Sequence, residues 1–451
     1  MTLHHSETAS WLSKAVRNRR AWSGFFALVI FAAMIPLAVR FHNQANVALH
    51  DETVAIGPGG QTIFVTDASR LVPGYRVTVD NEDAAAAVRE QQAWLDRGTI
   101  PSAASVPSPD LARLALLDLH VLSRDHNVAV AGWSPKWRYV WPRDLAFVAS
   151  AFSRTGHYDD AVSGLAFLQR VQPNDGVFMA RYLPDGSGVP DARGPQLDGS
   201  GWSLWAIGQV LQEAPSAEVR RATAAQFRPM LDRSTQATLA AVRTSNGLPP
   251  STSDYWEVKP AGTTLATSAV LLAGLRNSAY AYSVLADPDR SQEAADAANK
   301  LQAAIAEGFG PDGYPRYLGG SHTSVDLGVS FLLPPFGNDT DPEALTSWRR
   351  APRYMHRPAG GLAPGGSWRR DGISWTPTVG TVAVTAACVD PPTAATWLTW
   401  IASHRTSAGS IPEKVLDDGQ PASVTPLGWS AASVVIALDE LSHGCNSIKS
   451  D

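Results

Sequence analysis

The chain has 451 residues with 37 Lys+Arg against 42 Asp+Glu, and a formal net charge of −5 argues against a nucleic acid as its main partner. With 44% hydrophobic residues, 18% charged residues and 15 Trp, it holds material for a large buried core and too little charge for general disorder. Two cysteines, Cys388 and Cys445, are too few for a disulfide framework or a cysteine zinc cage and leave room for one bridge.

Between Arg20 and Arg40 run 19 uncharged residues, Ala21 to Val39. As a helix rising about 1.5 Å per residue, this stretch spans roughly the hydrocarbon core of a bilayer. Lys14, Arg17, Arg19 and Arg20 precede it and only Arg40 closely follows. The positive-inside rule therefore expects residues 1–20 as a cytoplasmic tail, 21–39 as a transmembrane signal anchor in the lipid bilayer, and the remainder as extracytoplasmic at the cell membrane. A cleaved signal peptide is the rival, with small residues across Gln44-Ala45-Asn46-Val47-Ala48, but the apolar stretch exceeds the usual core of about 7–15 residues.

Residues 40–105 read as a short strand- and turn-rich juxtamembrane segment and linker. Thr53 to Ile56, Thr62 to Thr66 and Tyr75 to Val79 are β-type runs divided by Gly57-Pro58-Gly59-Gly60 and Pro73-Gly74, and Ala84 to Asp96 predicts a helix. Ser108 before Pro109 predicts an N-cap opening a helix to about Ser123. Further helices are expected at 142–155, 158–171, 199–213, 216–243, 263–285, 289–308, 323–333, 341–349, 376–388, 391–404 and 426–442.

Taken in order from Pro109, the even helices start roughly 50–65 residues apart, the spacing of repeated helical hairpins. Several, such as Thr378 to Cys388, are apolar or small on most sides, whereas odd ones such as Asp289 to Glu307 show more charge on one face. This predicts a mainly α protein, an (α/α)6 toroid over 106–446 with a short tail at 447–451, whose inner helices open their N-termini onto one face. An α-solenoid or irregular bundle is the alternative.

Polar and aromatic clusters precede the even helices: Trp141-Pro142-Arg143-Asp144, Gln196-Leu197-Asp198-Gly199, Asp254-Tyr255-Trp256-Glu257, Thr323-Ser324-Val325-Asp326, Gly372-Ile373-Ser374-Trp375, and Glu413 with Pro426-Leu427-Gly428-Trp429. The order and spacing of the clusters at Trp141, Gln196 and Asp254, followed by Leu332-Leu333-Pro334, Pro412-Glu413 and Pro426-Leu427-Gly428-Trp429-Ser430, resemble over roughly 109–442 the glucoamylase-like family, glycoside hydrolase family 15. The resemblance implies an (α/α)6 toroid that cleaves α-glucosidic bonds with inversion from non-reducing ends of an oligo- or polysaccharide. It makes Glu257 the general acid and Glu413 the general base, and gives Arg143 and Asp144 hydroxyls of the terminal sugar.

The residue types suit that chemistry. An inverting glycosidase needs one carboxyl that donates to the leaving oxygen and one carboxylate that activates water on the opposite face. Trp256 is expected to lower the polarity around Glu257, and Lys414 to favour an ionised Glu413 if it points inward. Arg143 and Asp144 can bind vicinal hydroxyls through charge-assisted hydrogen bonds, or Asp144 can cap its helix. Trp133, Trp137, Trp141, Trp256, Trp368, Trp375 and Trp429 fall in loops or first turns, where they can stack on a pyranose or plug the core. Asp198 and Arg369 are rim candidates or structural ion pairs.

Three departures bear on substrate: Val258 stands where the family commonly has a second Glu, Lys414 where it often has Gln, and only 41–105 stands in place of a large N-terminal β-sandwich. No metal motif or phosphate loop stands out, and the inverting mechanism needs no cofactor. Cys388 and Cys445 fall near the C-terminal ends of consecutive inner helices, where a bridge is one of two open outcomes. A catalytically silent glycan-binding protein on the same scaffold, and an (α/α)6 uronide hydrolase or lyase suggested by Arg369-Arg370, are the rival functions.

Overall fold

A computed structural model describes residues 47–337 and 341–445. The run 21–39 expected to cross a membrane lies outside the described residues, as do the tails 1–20 and 447–451; among the described residues no helix is long and apolar enough to cross one.

The order begins with an antiparallel pair, β1 (Thr53–Ile56) and β2 (Thr62–Val65), in which Thr53 faces Val65 and Ile56 faces Thr62. The third β-type run makes only isolated bridges, Ile56 to Val77 and Leu71 to Thr78. Then come α1 (Ala84–Asp96), α2 (Leu111–Ser123), α3 (Pro142–Arg154), α4 (Tyr158–Val171), α5 (Asp198–Gln212), α6 (Ala217–Gln226), α7 (Arg228–Val242), α8 (Leu265–Val284) and α9 (Pro288–Phe309). A 3₁₀ segment, Leu327–Leu332, follows, then α10 (Pro342–Met355), β3 (Ser374–Trp375), α11 (Thr376–Val389), α12 (Pro391–Ser403), β4 (Lys414–Val415), β5 (Pro421–Ala422) and α13 (Gly428–His443).

α3, α5, α8, the 3₁₀ segment, α11 and α13 each pack on the next, and α13 packs back on α3, closing a ring. The outer layer is α2, α4, the α6/α7 pair, α9, α10 and α12. The sequence explains the division. In α11 every residue from Thr376 to Ala387 is buried, because neither side of the helix carries charge, and Thr381 returns its hydroxyl to the Pro377 carbonyl. α9 buries only Ala294, Ala298, Leu301, Ile305 and Phe309, one stripe at helical spacing. α5 and α8 come closest where a Cβ on Gly201 would stand 2.6 Å from the Val270 carbonyl oxygen and one on Gly274 would stand 2.8 Å from Gly201 Cα.

Three expectations are corrected. The helix expected over 216–243 breaks at Phe227 into α6 and α7, since Pro229 sits in the first turn of α7 and offers no N–H to the turn before it. The fourth inner helix, expected over 323–333, is two short 3₁₀ turns, His322–Ser324 and Leu327–Leu332, with Pro334-Pro335 barring extension and the Asp326 carboxylate accepting from the Gly328 amide. Ser108 is not the cap of α2, which begins at Leu111; the Ser108 hydroxyl donates to Asp110 instead.

From Leu49 the described residues belong to one compact unit. β1 is tied to the toroid by a buried cluster in which Arg76 pairs with Asp118 of α2 and donates to Ser410, and Thr53 meets Ser410 at 2.6 Å. At the C-terminal ends of the inner helices Arg154 joins α3 to α13 through Glu440 at 2.8 Å and to α5 through Gln209 at 2.7 Å. There Cys388 and Cys445 form a disulfide with Cα atoms 4.9 Å apart, resolving the open cysteine question.

Candidate active site

The inner-helix N-termini and the loops before them line one pocket of about 260 Å³, near the low end of small-ligand sites and better matched to a chain end than to a long polymer track. Trp141, Arg143, Asp144, Trp256, Glu257, Trp375, Glu413 and Trp429 all line it, with Trp137 and Trp368.

Pro142 opens α3 directly after Trp141, so Arg143 and Asp144 stand at the mouth of the helix. Arg143 donates from Nε and Nη2 to Asp144 Oδ2 at 3.1 and 2.9 Å, and its guanidinium lies 4.5 Å over the Trp429 ring. Asp144 makes no cap on α3; its partner is Arg143. Burial raises the Asp144 carboxyl above its ordinary range and Arg143 pulls it back in part.

Glu257 ends a turn in which its amide donates to the Asp254 carbonyl at 2.8 Å and the Trp256 amide to the Asp254 carboxylate at 3.0 Å. Its φ of 54° places a non-glycine residue in the left-handed region, a strained conformation that the surroundings must hold. They do so from below: fully buried Arg316 donates to Asp254 at 2.8 Å and Asp326 at 2.7 Å, and the Tyr255 hydroxyl donates to the Pro364 carbonyl at 2.9 Å. The expected surroundings of Glu257 need correction. Its near neighbours are guanidinium groups, Arg193 at 2.6 Å from Oε2 and Arg143 at 3.7 Å from Oε1, while the Trp256 ring lies 3.7 Å over Arg316 and edge-on to Trp368.

Glu413 comes from the other side of the pocket. Its main chain is pinned to Val424 and Thr376, and the three-stranded sheet β3-β4-β5 that follows pairs Trp375 with Lys414. Its carboxylate accepts from Trp137 Nε1 at 3.4 Å and from the Ser423 hydroxyl, and pairs with Lys414 at 3.3 Å. Lys414 points inward, with its ammonium 4.3 Å from the Trp375 ring centre.

Asp198 and Arg369 stand apart from the pocket lining. Asp198 starts α5, buried, near Arg143; burial pushes its carboxyl up to about 7, with Arg143 opposing and Asp254 and Glu257 adding to the rise. Arg369 and Arg370 are exposed, Arg369 over Trp368, so they give the pocket no basic wall. Trp133 is buried outside the pocket beneath Arg138. Sequence reading missed Lys136, Arg181 and Arg193 on the pocket wall, and the supports Arg316 and Ser423. Only Arg316 left a trace, as a cation set between Tyr314-Pro315 and Tyr317 ahead of an inner element.

Arg143 Nη1 and Glu257 Oε1 face each other as an ion pair at 3.7 Å, too long for a hydrogen bond, and neither makes a hydrogen bond elsewhere; the indole N–H groups of Trp141, Trp256, Trp368, Trp375 and Trp429 are buried without one as well. Unmet indole N–H groups also occur at Trp202 and Trp205 in the core, so the guanidinium and carboxylate atoms are the diagnostic ones. Together they suit a polyhydroxylated ligand that stacks on indoles and both donates and accepts hydrogen bonds. Among the described residues, metal-ligand types cluster only at Cys388, Glu440 and Cys445, whose sulfurs are joined to each other.

No protein-family model matches the chain, and no curated protein matches it. Solved structures do. A glycosidase solved in complex with glucose is 21% identical with a TM-score of 0.62, covering 74% of this chain and 96% of its own. A bacterial glucoamylase complexed with acarbose is 20% identical with a TM-score of 0.58, covering 74% of this chain and 56% of its own. A glycoside hydrolase family 15 glucoamylase from Hypocrea jecorina is 14% identical with a TM-score of 0.57, covering 74% and 71%. At these identities the likeness shows the fold, a glucoamylase-like (α/α)6 toroid.

Proposed function

We propose that the chain is an inverting glycoside hydrolase that cleaves α-glucosidic bonds from the non-reducing end. The observation that carries this reading is that Glu257 and Glu413, held by unrelated elements, line the same indole-rich pocket with the Arg143 and Asp144 pair. The fold shared with structures that hold glucose and acarbose supports a carbohydrate ligand.

In this reading Arg143 and Asp144 grip hydroxyls of the terminal sugar, and Trp429, behind Arg143, keeps that guanidinium in place. Glu257 gives its proton to the glycosidic oxygen as the bond to the anomeric carbon breaks. Glu413 takes a proton from water, whose oxygen attacks that carbon from the opposite face, and the product anomer is inverted. Trp137, Ser423 and Lys414 fix the Glu413 carboxylate toward the water.

We further propose that residues 21–39 anchor the protein in a membrane with the catalytic unit outside the cytoplasm. Protease added to intact cells is expected to remove the catalytic unit and leave a membrane-bound fragment; protection of the whole chain would contradict this. The activity is tested by sugar release from maltose, isomaltose, trehalose and soluble starch by the detergent-solubilised full chain, with Glu413→Gln beside it. Release by the wild type alone is the expected result, and binding without turnover would favour a silent glycan-binding protein.

A further inference from the structure

We propose that the leaving-group side of the pocket is built for a substrate portion that carries a negative charge, with Arg193 as its specificity residue; this rests on the hydrolase reading above. Arg193 binds Glu257 Oε2 at 2.6 Å, and Glu257 must face the leaving oxygen if it is the acid, so Arg193 stands on that side. Its other partner is Asp191, at 3.3 Å, and its side chain is 40% exposed.

Arg181 adjoins it through Asp191, and Lys136 lines the same pocket. Arg181 pairs with Asp191, donates to the Lys136 carbonyl at 2.9 Å, and is held 4.5 Å over Tyr139 and 4.9 Å over Trp141. Its Nε is buried without a hydrogen-bond partner. Lys136 is exposed on the pocket wall and makes no ion pair among the described residues. Once Glu257 carries the proton it must donate, Arg181 and Arg193 share Asp191 as their one remaining ion-pair partner among the described residues, and Lys136 adds an unpaired cation to the pocket wall. That excess of cation over anion is met by a carboxylate, sulfate or phosphate on the leaving portion, to which guanidinium groups bind in bidentate fashion.

The same contact links recognition to reactivity. Arg193 holds the Glu257 oxygen at 2.6 Å, and an anion on the leaving portion competes for that guanidinium, freeing the oxygen to carry the proton. Proton and electron balance is that of ordinary hydrolysis: the glycosidic oxygen receives the Glu257 proton and the bonding pair, and water supplies hydroxide to the anomeric carbon.

The test compares 3-carboxy-4-nitrophenyl α-glucoside with 4-nitrophenyl α-glucoside on the full chain. The wild type is expected to favour the carboxylated substrate at least about tenfold in kcat/KM, Arg193→Gln to bring the ratio near one, and Arg193→Lys to keep part of it. Lys136→Gln, a change at an exposed side chain, is expected to lower the ratio partly. Inorganic phosphate and acetate, added separately as competitors, distinguish a phosphate-taking from a carboxylate-taking site. Calorimetric binding of both glucosides to Glu413→Gln runs in parallel. A wild-type ratio near one in rate and binding, or a ratio kept in Arg193→Gln, overturns the proposal. If neither these glucosides nor maltose, isomaltose, trehalose and soluble starch are cleaved the hydrolase reading falls, and the calorimetric ratio alone decides the anion site.

Discussion

Arg316 donates to Asp254 at 2.8 Å from beneath the turn that carries Glu257, and its guanidinium carbon lies 3.7 Å from the centre of the Trp256 ring. It also holds Asp326 at the start of the 3₁₀ segment, so one buried cation fixes two neighbouring inner-ring entrances. Arg316→Met leaves two buried carboxylates without their cation, which costs about 3–5 kcal/mol and frees the strained Glu257 turn. The expected outcome is a lower unfolding temperature and a fall in kcat that exceeds any rise in KM. Unchanged kcat in folded variant would contradict the positioning role.

Glu257→Gln and Glu413→Gln are near-isosteric, and in the proposed mechanism each removes one proton transfer. Each is expected to lower kcat by roughly 10²–10⁴-fold, with KM changing far less. Steady-state kinetics on the best substrate of the panel measures this, and a variant with wild-type kcat would remove that residue from the mechanism.

Asp198 links stability to pH. Its ordinary carboxyl value of 3.8 rises to about 7 in the folded chain because of burial, so between those values the folded state holds a proton that the unfolded state has lost. The stabilisation is therefore full below about pH 4 and is lost as pH rises through about 7, by at most roughly 4 kcal/mol for the whole shift. Asp198→Asn stays neutral, so it is expected to unfold at a higher temperature than the wild type at pH 8 and to lose that advantage at pH 4. Parallel curves for the two proteins would show that Asp198 does not hold its proton.

The disulfide lies at the ends of α11 and α13 away from the pocket and closes a sequence separation of 57 residues. Replacing Cys388 and Cys445 together by Ala is expected to cost about 2–4 kcal/mol of stability and to leave kcat at 25 °C unchanged. Denaturant unfolding and activity assays read the two effects separately; a kcat loss in the folded protein would mean that the far face communicates with the site.

The inner helices were legible where their sequence leaves no choice. Thr376 to Ala387 has no charged residue on any side, so it had to be enclosed, and the regular spacing of such stretches carried the toroid. The fourth inner element was not legible, because Leu327 to Leu332 is apolar enough for a helix and its shortening comes from Pro334-Pro335 and the Asp326 side chain. That Glu257 and Glu413 reach one pocket could be anticipated from their local motifs. Their partners could not: Arg193 meets Glu257 across 64 residues and Trp137 meets Glu413 across 276, contacts that only the closed ring creates. Local sequence therefore suggested an apolar setting for Glu257 where the fold supplies two guanidinium groups.

The central claim is inversion by two carboxylates in one pocket, and proton NMR of the first product formed from an α-linked glucoside tests it most directly. The account predicts β-glucose as the initial product, appearing before mutarotation and absent with Glu257→Gln. Initial α-glucose would show retention and contradict the assigned roles of Glu257 and Glu413.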